Sequence, residues 1–350
     1  MRYPRVNDIL ATVQAAHKAI ESLQPANVKK ERFSSQSRSD NHTMAVDFDN
    51  EVILVTAASG KQASQLIPHL AKKWKHLRLL VNSEGSKQLL SKQYPNAEVL
   101  TGDVKNAQDC HRIFQGVAAC YMITPAFMAD EVQCGKNMID AALANVRAGG
   151  PFKHMLFSSV IHPSLRALVN HDSKRYVEEY LIESGLPYTV IQPTHLMETF
   201  PVQSIVSQNN PVRPAAWNPA TKFSFVSTID VGEAAAIIFE HRDQHLYATY
   251  QLVGTPTPLS YDEAMEIVSE ESGKEIRNEK KPLEQAAEMI VTTAGKDKPQ
   301  EVQSMMRQGF SRMFLHYNEH GLIGNPNIVR MLLGREPLDY RAWVKKSLQK

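Results

Sequence analysis

The chain has 350 residues, 43% of them hydrophobic, which is enough apolar material for one large core or two modest ones and excludes disorder over most of its length. Lys and Arg number 39 against 37 Asp and Glu, a balance that argues against a strongly basic nucleic-acid-binding domain and against recruitment of the whole protein to an anionic membrane. Three cysteines, Cys110, Cys120 and Cys134, lack the paired spacing of a zinc site and the density of a disulfide framework, and no apolar run approaches the roughly 20 residues needed to cross a bilayer, so a cytoplasmic protein without a bound metal is expected.

Residues 1–43 read as an appendage. Val6, Ile9, Leu10, Val13, Ala16, Ile20 and Leu23 recur at helical spacing and predict one amphipathic helix, followed by a polar, flexible linker from Arg32 to Asp40. A mitochondrial presequence is the alternative, supported by Arg2, Arg5 and Lys18 and opposed by Asp8 and Glu21. A self-sufficient domain is expected from Met44. From Asn50 onward, strands predicted over 52–56, 77–82, 97–101, 118–123, 154–158 and 187–192 alternate with helices over 62–74, 107–114, 130–148 and 172–184. Strands that are apolar throughout and separated by helices signal a parallel sheet covered on both faces, a doubly wound α/β fold of Rossmann type. After Pro193 the alternation loosens. A strand over 223–227, a helix over 231–241, a strand over 247–253, a helix over 261–272 and a Met-rich helical tail to about Phe314 predict a smaller α+β lobe, residues 194–350, beside a nucleotide-binding core of residues 44–193.

The first strand runs directly into Ala57-Ala58-Ser59-Gly60-Lys61-Gln62-Ala63 and an amphipathic helix carrying Leu66, Ile67 and Leu70. A strand, a turn of small residues and a helix N-terminus together offer backbone N–H groups and a positive dipole end to an anion, with pyrophosphate the natural occupant. The turn falls short of a full G-x-G-x-x-G, with Ala57 and Ala63 where further glycines are expected, so Gly60 is the residue expected to supply left-handed freedom.

The segments Val55–Gly60, Leu100-Thr101-Gly102-Asp103-Val104, Phe157-Ser158-Ser159-Val160 and Ser184–Pro193 resemble the NmrA-like atypical short-chain dehydrogenases/reductases, and His320–Pro326 and Leu332–Pro337 resemble the fungal branch of that family. The resemblance covers about residues 50–345. It implies that Ala57, Ser59, Gly60, Lys61 and Gln62 line a pyrophosphate, that Asn82 and Ser83 lie near the adenosine ribose and Asp103 and Val104 near the adenine, and that Thr124 borders the nicotinamide. Family members usually carry Gly at the Ala57 position and often Arg at the Asn82 position. NADP is the expected cofactor, through Lys61, with NAD an alternative: no Asp or Glu ends the second strand to select NAD.

In the wider superfamily the helix that follows the fifth strand carries Tyr-x-x-x-Lys, the lysine holding the nicotinamide ribose and the tyrosine acting as general acid. Lys174 matches the lysine and Asn170 occupies the tyrosine position. Ser158 and Ser159 match the region of the substrate-polarising serine, and His171, three residues before Lys174 on the same helical face, is the candidate replacement proton donor near neutral pH. Against these roles stand a solvated Lys174–Glu178 pair, a surface histidine and strand-end serines that satisfy local backbone. His241–His245 reads as a solvated helix end, and Met305, Met306, Met313 and Phe314 as core or an apolar contact surface. The resemblance implies an NAD(P)H-dependent oxidoreductase that passes hydride to a carbonyl, quinone or conjugated small molecule. The alternative is a non-catalytic dinucleotide sensor that binds a transcription factor, since Gly60–Ser64 also resembles the Gly-Arg-Gln-Ala-Ala of the regulator that names the family.

Overall fold

The computed structural model describes residues 45–125 and 130–349, so the helix expected within residues 1–43 lies outside the described residues. Seven strands form the central sheet: β1 (Val52–Val55), β2 (His76–Val81), β3 (Glu98–Thr101), β4 (Val117–Met122), β5 (His154–Ser158), β6 (Tyr188–Pro193) and β7 (Ala248–Leu252). Their order is β7-β6-β5-β4-β1-β2-β3, and every neighbouring pair is parallel. The helices that cover this sheet are α1 (Ala63–Leu70), α2 (Glu84–Gln93), α3 (Ala107–Phe114), α4 (Glu131–Arg147), α5 (Val169–Glu183) and α6 (Thr228–Glu240).

The pleat explains why the strands read as continuous apolar runs. Ile53 and Val55 of β1, with Ala119 and Tyr121 of β4, pack with Leu66 and Ile67 of α1 and with Val231 and Ala235 of α6. Their alternates, Leu54, Cys120 and Met122, belong to the opposite cluster with Ile113 of α3, Met138 of α4 and Val177 of α5. Two glycines set helix spacing. A Cβ on Gly232 of α6 would stand 2.7 Å from the Gln65 carbonyl carbon of α1, and one on Gly135 of α4 would stand 2.6 Å from Val177 of α5. Backbone-close packing of α6 on α1 thereby fixes the direction in which the α1 N-terminus points.

Several expectations are corrected. Residues 194–350 do not all stand beside the core, because β7 pairs with β6 as the seventh strand and α6 packs into the sheet's own cluster. The long excursion between β6 and β7 carries parts of a second core and disguises this return. The strand expected over 223–227 is two short pieces, Lys222–Phe223 and Phe225–Val226, since the Ser224 N–H between them donates to the Leu322 carbonyl. Helix α2 has Leu90 as its one buried residue, so its apolar stripe is too thin to detect; its sign is Ser83, which caps Ser86 N–H at 3.2 Å. Arg242, read as part of a solvated helix end, is fully buried and pairs with Glu51 at the start of β1. The second core is aromatic, with Phe200, Trp217, Phe223, Phe225, Tyr261 and Tyr340 buried together with Met306, Met313 and Phe314 of the helical tail. Among the described residues no helix is long and apolar enough to cross a membrane.

Candidate functional site

Because the strands are parallel, their carboxyl ends share one edge, and β1 lies between β2 and β4, where the winding of the sheet reverses. Ligands of open α/β sheets bind in the crevice at this point. The turn after β1 is built from its own backbone. Ala58 N–H donates to Leu80 O at 2.9 Å, Gly60 N–H to Ala57 O at 2.8 Å and Ser64 N–H to Gly60 O at 2.9 Å. The N–H groups of Ser59, Lys61, Gln62 and Ala63 take no part in these bonds, and this segment leads into the N-terminus of α1. Ala57 and Ser59 are exposed, and Ala63 is buried against the strand.

The left-handed residue of the turn is not Gly60 but Ala57, at φ 49°. Such a conformation is strained for a residue with a Cβ. Gly60 serves by its smallness instead, since a Cβ there would press on Ala57 O at 3.0 Å. Lys61 is exposed and donates to the Glu198 carbonyl at 2.6 Å, and among the described residues no carboxylate pairs with it.

Further along the edge, Asn82 is exposed and Ser83 caps α2. Asp103 is exposed at the end of β3, where its side chain accepts from Lys105 N–H at 3.0 Å, and the Val104 carbonyl accepts from Asn137 Nδ2 at 3.0 Å. These four positions follow the carboxyl ends of β2 and β3.

The inner end is closed upon itself. Lys174, 7% exposed, lies 2.7 Å from Glu131, which is 1% exposed in the first turn of α4. The ammonium also donates to Thr124 Oγ1, and Thr124 Oγ1 donates to Glu131 Oε1 at 2.9 Å. Lys174 thus reaches the end of β4 as the motif requires, but its charge is neutralised there by Glu131 and not by Glu178. Glu178 instead accepts from Gln192 Nε2 at 3.0 Å, and burial raises its pKa. His171 does share the buried face of α5 with Lys174, but it is fully buried and burial lowers its pKa to about 4. It is neutral at neutral pH, with Nδ1 donating to the His162 carbonyl at 3.1 Å, and does not hold the proton expected of a general acid. Asn170, at the tyrosine position, brings no acidic proton.

Ser158 is buried and donates to Gln62 Oε1 at 2.8 Å, where Tyr121 OH donates as well, also at 2.8 Å. This ties β4 and β5 to the head of α1. Ser159 is buried beside Glu178. Two participants escaped the sequence reading. Tyr121 is a phenol within a strand buried at every position, so no polar alternation marks it. Glu131 is an acid at a helix start, where favourable interaction with the helix dipole is the ordinary explanation.

The NmrA-like family matches this chain over residues 49–344. The nitrogen metabolite repression protein nmrA of Emericella nidulans is 30% identical over 149 residues, a stretch that covers 40% of this chain and 41% of that protein, so the match spans about two-fifths of the relative's length. The NADPH-dependent quinone oxidoreductase QOR2 of Escherichia coli, solved with NADPH, is similar in structure with a TM-score of 0.67 at 19% identity, covering 85% of this chain and 99% of that one. The triphenylmethane reductase of Citrobacter sp., solved with NADP(H), gives 0.67 at 19% identity over 84% and 99%. NmrA, described as a negative transcriptional regulator and solved with NAD, gives 0.67 at 20% identity over 85% and 95%. At these identities the structural likeness is one of fold, and the fold is Rossmann-type.

Proposed function

The chain belongs to the NmrA-like family, and from that premise we propose that it binds an NAD(P) dinucleotide along the carboxyl edge of the sheet, with the pyrophosphate on the turn Ala57–Ala63. The observation that carries this reading is the set of N–H groups from Ser59, Lys61, Gln62 and Ala63, unused by the turn and lying in the segment that leads into α1 where the sheet's winding reverses. NADP(H) is the preferred form, because Lys61 beside the turn pairs with no carboxylate among the described residues and β2 ends without the carboxylate that selects the ribose 2′-hydroxyl.

On this cofactor the protein acts as a reductase of quinones or similarly conjugated small molecules. A dinucleotide held there would supply hydride chemistry, and the chain's part would be to position it against the acceptor. Among the described residues, Asn170, neutral His171 and a Ser158 hydroxyl committed to Gln62 give the inner end no strong proton donor. An isolated carbonyl needs such a donor, whereas a conjugated acceptor spreads the arriving charge and takes its proton from solvent. NADPH oxidation measured against quinones, enones, simple aldehydes and simple ketones tests this, with turnover expected from the first two classes and little from the last two.

A second reading is favoured by the Lys174–Glu131 pair, in which the residue that would orient the nicotinamide ribose is already neutralised. It is a non-catalytic sensor that reports dinucleotide binding to a transcription-factor partner. Absence of turnover with every acceptor, together with affinities that differ between oxidised and reduced dinucleotide, contradicts the reductase and supports the sensor.

A further inference from the structure

The cation of the phosphate turn is held by a residue far from it in sequence. Glu198 stands in a one-turn 3-10 helix, Met197–Thr199, beyond the carboxyl end of β6. Its backbone carbonyl accepts from Lys61 Nζ at 2.6 Å. Its half-buried carboxylate pairs with no cation among the described residues and accepts three neutral donors instead. Oε2 accepts from Thr228 N–H at 2.9 Å, and Oε1 accepts from Ser227 Oγ and from Trp343 Nε1–H, each at 3.0 Å. Ser227 caps α6 and Thr228 begins it. Trp343, 4% exposed, belongs to the helix Tyr340–Leu348, which packs in the aromatic core.

Taken singly, these bonds are ordinary. A carboxylate at a helix N-terminus stabilises that helix, and a buried indole N–H needs an acceptor. Their meeting on one residue joins three parts of the chain. A cavity of about 790 Å³ is lined by Gln65 of α1, Ile229 of α6 and Trp343 and Lys346 of the helix Tyr340–Leu348, and Glu198 lines it as well. Glu198 is a strut beside this open space, bonded to α6 through Oε2 and to Trp343 through Oε1. A carboxylate fixed at three points leaves its own backbone little freedom, so the carbonyl that receives Lys61 is set by Trp343 as well as by α6. An ammonium has three donors, and Lys61 uses one of them among the described residues, which leaves two for phosphate oxygens.

We propose that Trp343 and Glu198 are positioning residues for Lys61, and that phosphate binding at the turn is thereby coupled to the seating of the helix Tyr340–Leu348. This rests on the reading of Ala57–Ala63 as the phosphate turn of a dinucleotide site. Coupling between two sites is reciprocal: whatever seats the helix favours the dinucleotide, and the dinucleotide seats the helix. The protein thus carries a readout of dinucleotide occupancy at a helix remote in sequence from the turn, available to a reductase or to a sensor.

A double-mutant cycle on NADPH affinity, measured by calorimetry on the full chain, tests this. Lys61→Met is expected to weaken NADPH at least tenfold. Trp343→Phe, which keeps a ring in the core and removes the N–H donor, is expected to weaken it several-fold in the wild-type background and by less than half that factor in the Lys61→Met background. A role confined to core packing or to capping α6 would give the same loss in both. Hydrogen exchange supplies a measurement that needs no change at Trp343: NADPH is expected to slow exchange in residues 340–348 of the wild type, and not in Lys61→Met filled to the same fraction. That comparison decides where Trp343→Phe does not fold. Unchanged NADPH affinity in folded Trp343→Phe, equal losses in the two backgrounds, or no slowing of exchange in residues 340–348 of the NADPH-bound wild type overturns the coupling while leaving the dinucleotide site in place. A wild type that binds no NADPH overturns both.

Discussion

The two ends of the crevice are built on opposite principles. The phosphate end is made of backbone, with Ala57 and Ser59 exposed and four N–H groups left out of the turn's own hydrogen bonds. The inner end is made of side chains, and its polar groups answer one another: Lys174 to Glu131 and Thr124, Ser158 and Tyr121 to Gln62, His171 to the His162 carbonyl. Helix N-terminal donors have no intrahelical acceptor and stay available to an anion. Side chains brought into a dry interior must find partners or impose a desolvation cost. The sequence motif that suggested chemistry is therefore intact in position at Lys174 yet internally satisfied, while the motif that suggested binding remains open.

Acid breaks this contrast most strongly. His171 and His195 have pKa values lowered to about 4 and His154 to about 3, in each case first by burial. A histidine depressed in the fold takes up its proton first in the unfolded chain, so its stabilisation is full above about pH 6.5 and is lost as pH falls from there toward the folded values. Each contributes a slope of about 1.4 kcal/mol per pH unit in that window, about 4 kcal/mol per pH unit for the three together. Glu178 and Asp230, raised by burial, protonate earlier in the fold than in the unfolded chain and offset part of the loss at the acid end. Urea unfolding between pH 7 and pH 4.5 is expected to show a steep decline setting in below pH 6.5. A flat profile would mean that these imidazoles are not held neutral.

Glu131→Ala attacks the closed end directly. It leaves the Lys174 ammonium buried beside Thr124 alone, and breaking a buried pair in this way costs about 3–5 kcal/mol. Adding Lys174→Met is expected to recover most of that loss, because an apolar replacement of both partners is close to neutral. A double variant as unstable as Glu131→Ala would show that the ion pair is not what Glu131 contributes. Gly232→Ala acts on the open end through packing. Its Cβ would meet the Gln65 backbone at 2.7 Å, so α1 must shift, with an expected loss of about 1–3 kcal/mol and weaker dinucleotide binding. Unchanged melting and affinity would show that α1 is not oriented by α6. Ala57→Gly is the smallest change. Release of the φ 49° strain, of about 1–2 kcal/mol, exceeds the added unfolded-chain entropy of about 0.4–1 kcal/mol, so a slight rise in melting temperature is expected.

The strands of the first half could be read from the residues because each is buried on both faces, as in Val117–Met122, where every position is buried. Helix α3 was bounded by Asn106, whose side chain accepts from the Gln108 and Asp109 N–H groups. Other features depend on contacts distant in sequence. β7 follows β6 by more than fifty residues, and no local pattern says that it rejoins the sheet. The Lys174–Glu131 pair spans 43 positions and two helices, and spacing rules within a helix favoured Glu178 instead. Burial of Arg242 against Glu51 joins residues 191 apart. The small-residue turn was visible as a binding element, but which residue turns left-handed was set by packing of the turn and not by the presence of a glycine.

Calorimetric titration of the wild type, Gly60→Val and Lys174→Met with NADPH tests most directly whether the open phosphate end holds the dinucleotide. The wild type is expected to bind with micromolar affinity, on the order of 8 kcal/mol. Gly60→Val, which crowds Ala57 O and distorts the turn, is expected to lose at least a hundredfold, and Lys174→Met, whose charge is already committed to Glu131, less than tenfold. Equal affinity of wild type and Gly60→Val, or loss of binding in Lys174→Met but not in Gly60→Val, would contradict the assignment.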